Sequence, residues 1–80
     1  HGGIITTIMD ISMGHLIKNE QSAGTTLELK VNFMSAIKHE KIKCIGSFLK
    51  KGRTISTLDS KLFREDGKLA AYATSTWKIL

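Results

Sequence analysis

Residues 4–17 place Ile4, Ile5, Ile8, Met9, Ile11, Met13, Leu16 and Ile17 around most of a helical circumference. A surface helix shows a single apolar stripe, whereas a helix that is apolar nearly all round has to be covered by the rest of its domain. In a chain of 80 residues that is a severe constraint, because everything after the helix must wrap it. Lys18 to Ser22 form a polar exit, and Gly24 punctuates the loop that follows.

From Thr25 the period changes from helical to two. Leu27, Leu29, Val31 and Phe33 alternate with Glu28, Lys30 and Asn32, which predicts a strand with one buried face. After a polar connection over 35–40, a second strand is expected over 41–50, with Ile42, Cys44 and Phe48 on one side and Lys41, Lys43 and Ser47 on the other. A tight turn at Lys51-Gly52 leads to a third strand over 54–63, bearing Ile55, Leu58, Leu62 and Phe63. Asp66-Gly67 is a hairpin signal, and a fourth strand runs over 69–79. Short connections imply antiparallel pairing of the last three strands. Ala70, Ala71 and Ala73 leave room for a helix to approach. The expected fold class is α+β: one central buried helix wrapped by an antiparallel sheet, in a single domain over residues 1–80.

A chain this short buries only about 60–65% of the surface its unfolded form exposes. Its one cysteine, Cys44, cannot form an internal disulfide, and no Cys/His spacing suggests a metal. Association of copies is therefore the expected source of further buried area. No apolar run approaches the length of a membrane span and no signal-peptide pattern opens the chain, so a cytoplasmic protein without a membrane is expected. The net charge of +5 points toward an anionic partner. Nucleic acid is disfavoured, because aromatics are 6% of residues and do not interleave with Lys and Arg.

Among residues that could do chemistry, Asp10 is the most informative. It interrupts the most apolar element, where a carboxylate is desolvated and needs a donor or a cation. Two readings stand side by side: a structural carboxylate that bonds a neighbouring loop or a partner subunit, or a functional one, since perturbed carboxylates cluster at active sites. His1-Gly2-Gly3 precedes the helix, whose first turn carries free N–H groups and partial positive charge able to hold an anion or a developing oxyanion. Oxyanion donors plus a carboxylate base are the minimum set for acyl transfer.

The run HGGIITTIMDISMG resembles the signature of the PaaI-type hotdog thioesterases, in which HGG opens the central helix and an acidic residue follows nine positions after the His. GTTLELKVNFMSA is similar to that family's next strand, and KKGRT and EDGKLAAYATSTW to its hairpin and closing strand, so the likeness covers essentially the whole chain. The resemblance implies a hotdog fold and hydrolysis of an acyl-CoA thioester. Gly2 would polarise the carbonyl, Asp10 would act as base or nucleophile, and Thr26 would supply the hydroxyl that orients water. His1 and Gly3 would line the substrate site. Lys51, Gly52 and Arg53 would hold the phosphates of CoA, although a solvated hairpin explains those three as well. CoA is then part of the substrate, with no further cofactor. The site would lie between the subunits of a homodimer, which often pairs again as a homotetramer.

Departures from the pattern are a missing segment before HGG, which would leave the sheet one strand fewer with an open edge, and Met34-Ser35-Ala36 where proline is common. The chain begins at His1, so it is expected to be the C-terminal part of a longer protein. With no proline, a hotdog dehydratase motif is absent. A non-catalytic acyl-CoA-binding hotdog is the remaining rival. His15 is expected to be packed or to cap the helix dipole, His39 to be solvated, and Tyr72 and Trp77 to pack. Ile5, Met9, Met13 and Phe33 are candidate walls of an acyl pocket, though core packing explains them equally well.

Overall fold

The computed structural model describes residues 2–20, 22–38 and 40–80, so the expectations for His1, Gln21 and His39 lie outside the described residues. Helix α1 spans Gly2–Asn19, two residues longer at each end than the apolar pattern. Lys18 in its last turn complements the negative end of the helix dipole. Four strands follow: β1 (Gly24–Phe33), β2 (Lys43–Lys50), β3 (Ile55–Phe63) and β4 (Leu69–Ile79). They form one antiparallel sheet in the order β1-β4-β3-β2. The β2–β3 and β3–β4 hairpins are the short connections the sequence implies. The longer 34–42 connection carries the chain from one edge of the sheet to the other.

Helix and sheet meet along Met9, Met13 and Ile17, spaced four residues apart and all buried. Facing them on alternate positions are Leu58 and Leu62 of β3 and Ala71, Ala73 and Trp77 of β4. Two chains of polar contacts run through this apolar contact. Ser12 Oγ donates to the Met9 carbonyl (2.7 Å), so the Ser60 hydroxyl at 2.8 Å is the donor to Ser12, and the Cys44 thiol at 3.1 Å the donor to Ser60. On the other side Trp77 Nε1 donates to Ser75 Oγ (2.8 Å), which donates to Met13 Sδ (2.9 Å). The helix also lies close to β2. A Cβ on Gly46 would stand 3.1 Å from the Ser12 carbonyl oxygen and 3.2 Å from Leu16 Cδ1.

The helix is less enclosed than its composition suggests. Ile4 is 64% exposed and Ile11 is also exposed, because the sheet covers one side of α1 and leaves the opposite side open. The first strand departs from simple alternation. A β-bulge between Thr26 and Glu28 leaves Leu27 opposite no residue of β4, and Leu27 is 55% exposed instead of buried. Phe33, at the strand's end, is exposed too, as is Ile55 at the start of β3. The Asp66-Gly67 turn forms as expected, with Gly67 at φ 87° and its N–H donating to the Arg64 carbonyl at 2.9 Å.

On the sheet face turned away from the helix, Asp59 is only 5% exposed. It accepts hydrogen bonds from the Ser47 hydroxyl and, at 2.9 Å, from the Tyr72 phenol. That bond to a carboxylate, with partial burial second, pushes the Tyr72 pKa above its ordinary value of 10.0. The contact at Gly46 gives a direct test of the helix docking. Gly46→Val should destabilise the fold by about 1–3 kcal/mol through overpacking against the helix backbone, read as a lower midpoint in urea denaturation.

Candidate active site

Asp10 directly follows the buried Met9, and this places it on the flank of α1 that faces β1, where it is half-buried. Ser12 lies on the opposite flank, against β2 and β3. Thr26 Oγ1 donates to Asp10 Oδ1 at 3.2 Å. The bulge makes this contact possible. By alternation from Leu29 and Val31, Thr26 would point to the solvent face; the extra residue at Leu27 turns it to the helix side. The carboxylate thus has its donor, and Oδ2 remains directed away from that bond.

Gly2 opens the helix, and no acidic side chain occupies the first turn. Thr7 Oγ1 donates to the Gly3 carbonyl at 2.8 Å, and the N–H groups of a helix's opening turn have no partner within the helix. Eight residues separate Gly2 from Asp10, about 12 Å of helix at 1.5 Å per residue. Within one chain, the helix N-terminus and the carboxylate therefore cannot touch the same carbonyl group.

Lys51, Gly52 and Arg53 form the β2–β3 turn, beside the C-terminal end of α1. Lys51 pairs with Glu20 and lies over the Phe48 ring, 5.0 Å from its centroid. Gly52 donates to Ser56 Oγ at 3.1 Å, and a side chain there would strike the Ile55 carbonyl oxygen, so turn geometry alone accounts for this glycine. Arg53 is exposed. The structure brings Asp10 and Thr26 together, sets the helix N-terminus one way along the axis and the basic turn the other. His15 is exposed rather than packed, while Trp77 packs in the core as expected.

A cavity of about 260 Å³ opens beside the N-terminal half of the helix, on the flank away from Asp10. It is lined by Ile4, Ile5, Ile8, Ile37 and Ile42, with Lys38 and Glu40. Of the apolar walls expected from sequence, only Ile5 lines it: Met9 and Met13 are core residues, and Phe33 lies on β1. The outer wall belongs to the 34–42 connection, and Glu40 holds that connection in place. Its carboxylate accepts from the Lys38 N–H (3.1 Å) and the Glu65 N–H (3.0 Å), with Arg64 Nε 3.8 Å away. Nothing in the local sequence singled out Glu40, because its partners come from 25 residues downstream as well as from its own loop.

Comparison with known proteins places these features in a family. The thioesterase superfamily model matches residues 1–71, and the chain belongs to that superfamily. It is 37% identical over 82 residues to the Saccharolobus solfataricus protein named "Putative esterase SSO2140", covering 100% of this chain and 59% of that one. The chain thus spans little more than half the length of the curated relatives it matches. Among solved structures, a hypothetical thioesterase protein of Streptococcus pneumoniae with coenzyme A superposes with a TM-score of 0.97 at 26% identity, covering 100% of this chain and 63% of that one. The same streptococcal protein has been solved with an aspartate and, separately, a threonine replaced by alanine. Those two positions stand 16 residues apart, the separation of Asp10 and Thr26. The E. coli PaaI protein, at 12% identity and a TM-score of 0.94, covering 100% of this chain and 59% of that one, shares the hotdog fold.

The Glu40 tie is pH-dependent. Two backbone amides, Lys38 first and Glu65 second, bind the ionised carboxylate and hold its pKa below the ordinary 4.5; Arg64 adds to this, against partial desolvation and Asp66. A carboxylate with a depressed folded-state pKa stabilises fully above its unfolded value and loses that contribution as pH falls through the folded one. The 34–42 connection should therefore loosen below about pH 4.5, with the Lys38 and Glu65 amides exchanging faster in hydrogen exchange. Glu40→Gln should abolish the pH step.

Proposed function

We propose that the protein hydrolyses an acyl-CoA thioester to the free acid and CoA, with Asp10 as the catalytic carboxylate. The observation that carries this reading is the Thr26–Asp10 hydrogen bond on the flank of a helix that opens with glycines, in a chain of the thioesterase superfamily. The coenzyme A bound to the streptococcal relative, and the aspartate and threonine chosen for replacement in it, support the same assignment.

The 12 Å between Gly2 and Asp10 calls for a second copy of the chain. Strand β1 is an edge of the sheet, with exposed Leu27, Phe33 and Met34 along it, and edge strands pair readily. If two copies associate through β1 about a twofold axis, their helices run antiparallel and each Gly2 approaches the other subunit's Asp10. The thioester carbonyl oxygen then lies at the helix N-terminus, where backbone N–H groups stabilise the negative charge that develops on it. Asp10 either attacks the carbonyl carbon or takes a proton from the water that does. Thr26 fixes Oδ1 and so aims the other oxygen. In the base route, collapse of the tetrahedral intermediate breaks the C–S bond, the departing thiolate takes back the proton held by Asp10, and the acid keeps the oxygen from water. In the nucleophilic route, collapse releases the thiolate and leaves an anhydride between the acyl group and Asp10, which water then hydrolyses to the free acid and the restored carboxylate, its released proton going to the thiolate. The CoA phosphates extend toward Lys51 and Arg53, in keeping with the net positive charge. The setting is a cytoplasmic homodimer, with further pairing to a tetramer.

A thiol-release assay on the complete natural protein tests the chemistry. Asp10→Asn should lower kcat by about a hundredfold or more, and Thr26→Val by about tenfold. Undiminished turnover by Asp10→Asn would reject the mechanism, and tight CoA binding by the wild type without turnover would favour a non-catalytic binding protein. Shared sites have their own test. Gly2→Pro removes the N–H at a position where proline is tolerated. Mixing inactive Gly2→Pro and Asp10→Asn subunits should restore about a quarter of wild-type activity, since each heterodimer regains one intact site.

A further inference from the structure

Resting on the reading of Asp10 as the catalytic carboxylate, we infer that Ser60, acting through Ser12, is a positioning residue for it. The chain of hydrogen bonds between β3 and α1 ends on the Met9 carbonyl, to which Ser12 Oγ donates at 2.7 Å. That carbonyl and the Asp10 N–H belong to one planar peptide unit, so its tilt sets the direction in which the Asp10 side chain leaves the helix. The carboxylate itself is held from the other flank by Thr26 at 3.2 Å. The two ties are independent: Thr26 fixes an oxygen, and the serines fix the backbone that carries it.

Ser60 suits the task because its own place is fixed. It is fully buried, and its neighbours in the sheet are Gly46 of β2 on one side and Ala73 of β4 on the other. Its hydroxyl donates to Ser12 at 2.8 Å and accepts from the Cys44 thiol at 3.1 Å. A hydroxyl carries one hydrogen, so once Ser12 donates to Met9 the direction of every bond in the chain is determined. Ser12 on its own could turn among the staggered rotamers; the bond from Ser60 selects the one that reaches Met9. Stability does not require this arrangement. Replacing both partners of a buried hydrogen bond by apolar groups of similar shape is close to neutral, and alanine at both positions would fit the same contact. A satisfied buried network instead specifies one geometry, and this one terminates at the peptide of the acid.

The test uses steady-state thiol release by the complete natural protein. Displacing a reacting group by about 1 Å costs on the order of a hundredfold in rate, and the smaller tilt expected here about fivefold to tenfold. Ser60→Ala and Ser12→Ala should each lower kcat by that amount with KM unchanged, and the double variant should fall no further than the lower single one. Ser12→Thr, whose hydroxyl can still bond the carbonyl one turn back, should restore kcat to within about twofold of wild type. In an Asp10→Asn background, Ser60→Ala should add nothing. Ser47→Ala removes a donor to buried Asp59 on the far face of the sheet; it should lower the urea midpoint and leave kcat as it was. Wild-type kcat in Ser60→Ala, or an equal loss on top of Asp10→Asn, would overturn the inference while leaving hydrolysis standing. If no acyl-CoA is hydrolysed, or Asp10→Asn turns over as fast as wild type, the functional reading fails, and the positioning is read from the carboxyl carbon NMR resonance of Asp10. A shift in Ser60→Ala and Ser12→Ala that is absent in Ser47→Ala supports it, and an unmoved resonance overturns it.

Discussion

The docking of α1 across the sheet is the contact on which the other features depend. Dispersion and burial at Met9, Met13 and Ile17 supply most of the attraction, but such contacts are nearly indifferent to a small rotation of the helix. Directional contacts remove that freedom. The Cys44–Ser60–Ser12–Met9 chain ties one flank, and the Trp77–Ser75–Met13 chain ties the centre. Gly46 lets the Ser12 turn settle against β2. With rotation fixed, Asp10 faces β1 and Ile5 and Ile8 face away from it. A shift of one helical position would bury Asp10 against the core or turn it to water, and in either case break its bond to Thr26.

Much of this architecture was legible in the residues. The switch from helical period to period two, the Asp66-Gly67 turn and the short connections predicted one helix and four antiparallel strands, and the HGG-spaced-acid resemblance named the superfamily. What escaped was local. A bulge cannot be read from alternation, because Leu27 looks like the first buried residue of its strand and is instead the residue the ladder skips. The buried serines Ser56, Ser60 and Ser75 were equally silent, since serine on a strand ordinarily marks a solvent face. Ser60 and Ser75 bond helix residues that come from far along the chain, and Ser56 bonds the Gly52 backbone in the β2–β3 turn. Asp59, on the outer face, illustrates the same limit: its donors Ser47 and Tyr72 come from the strands on either side.

The bulge also links fold to chemistry. In a regular β1 strand a hydroxyl at position 26 would share the solvent face with Lys30 and Asn32, and Asp10 would lie against the sheet without a donor. Inserting one unpaired residue changes the side for Thr26 and the two strand residues before it, leaving Leu29 and Val31 half-buried against the helix. Bulges are common next to active sites because they re-aim a side chain without rearranging the strand. Here the re-aimed residue is the one that orients the carboxylate.

Helix length then determines where a complete site can form. A carbonyl bound at the N-terminus of α1 and a carboxylate two turns further on are separated by about 12 Å, a distance no side chain of this helix spans. Shortening the spacing would bring the two together but would place the acid in the opening turn, where its charge would compete with the developing oxyanion for the same N–H groups. Two antiparallel helices avoid this conflict. In the proposed dimer each N-terminus would keep its positive end free for the substrate, and each acid would approach the carbonyl carbon from the other subunit.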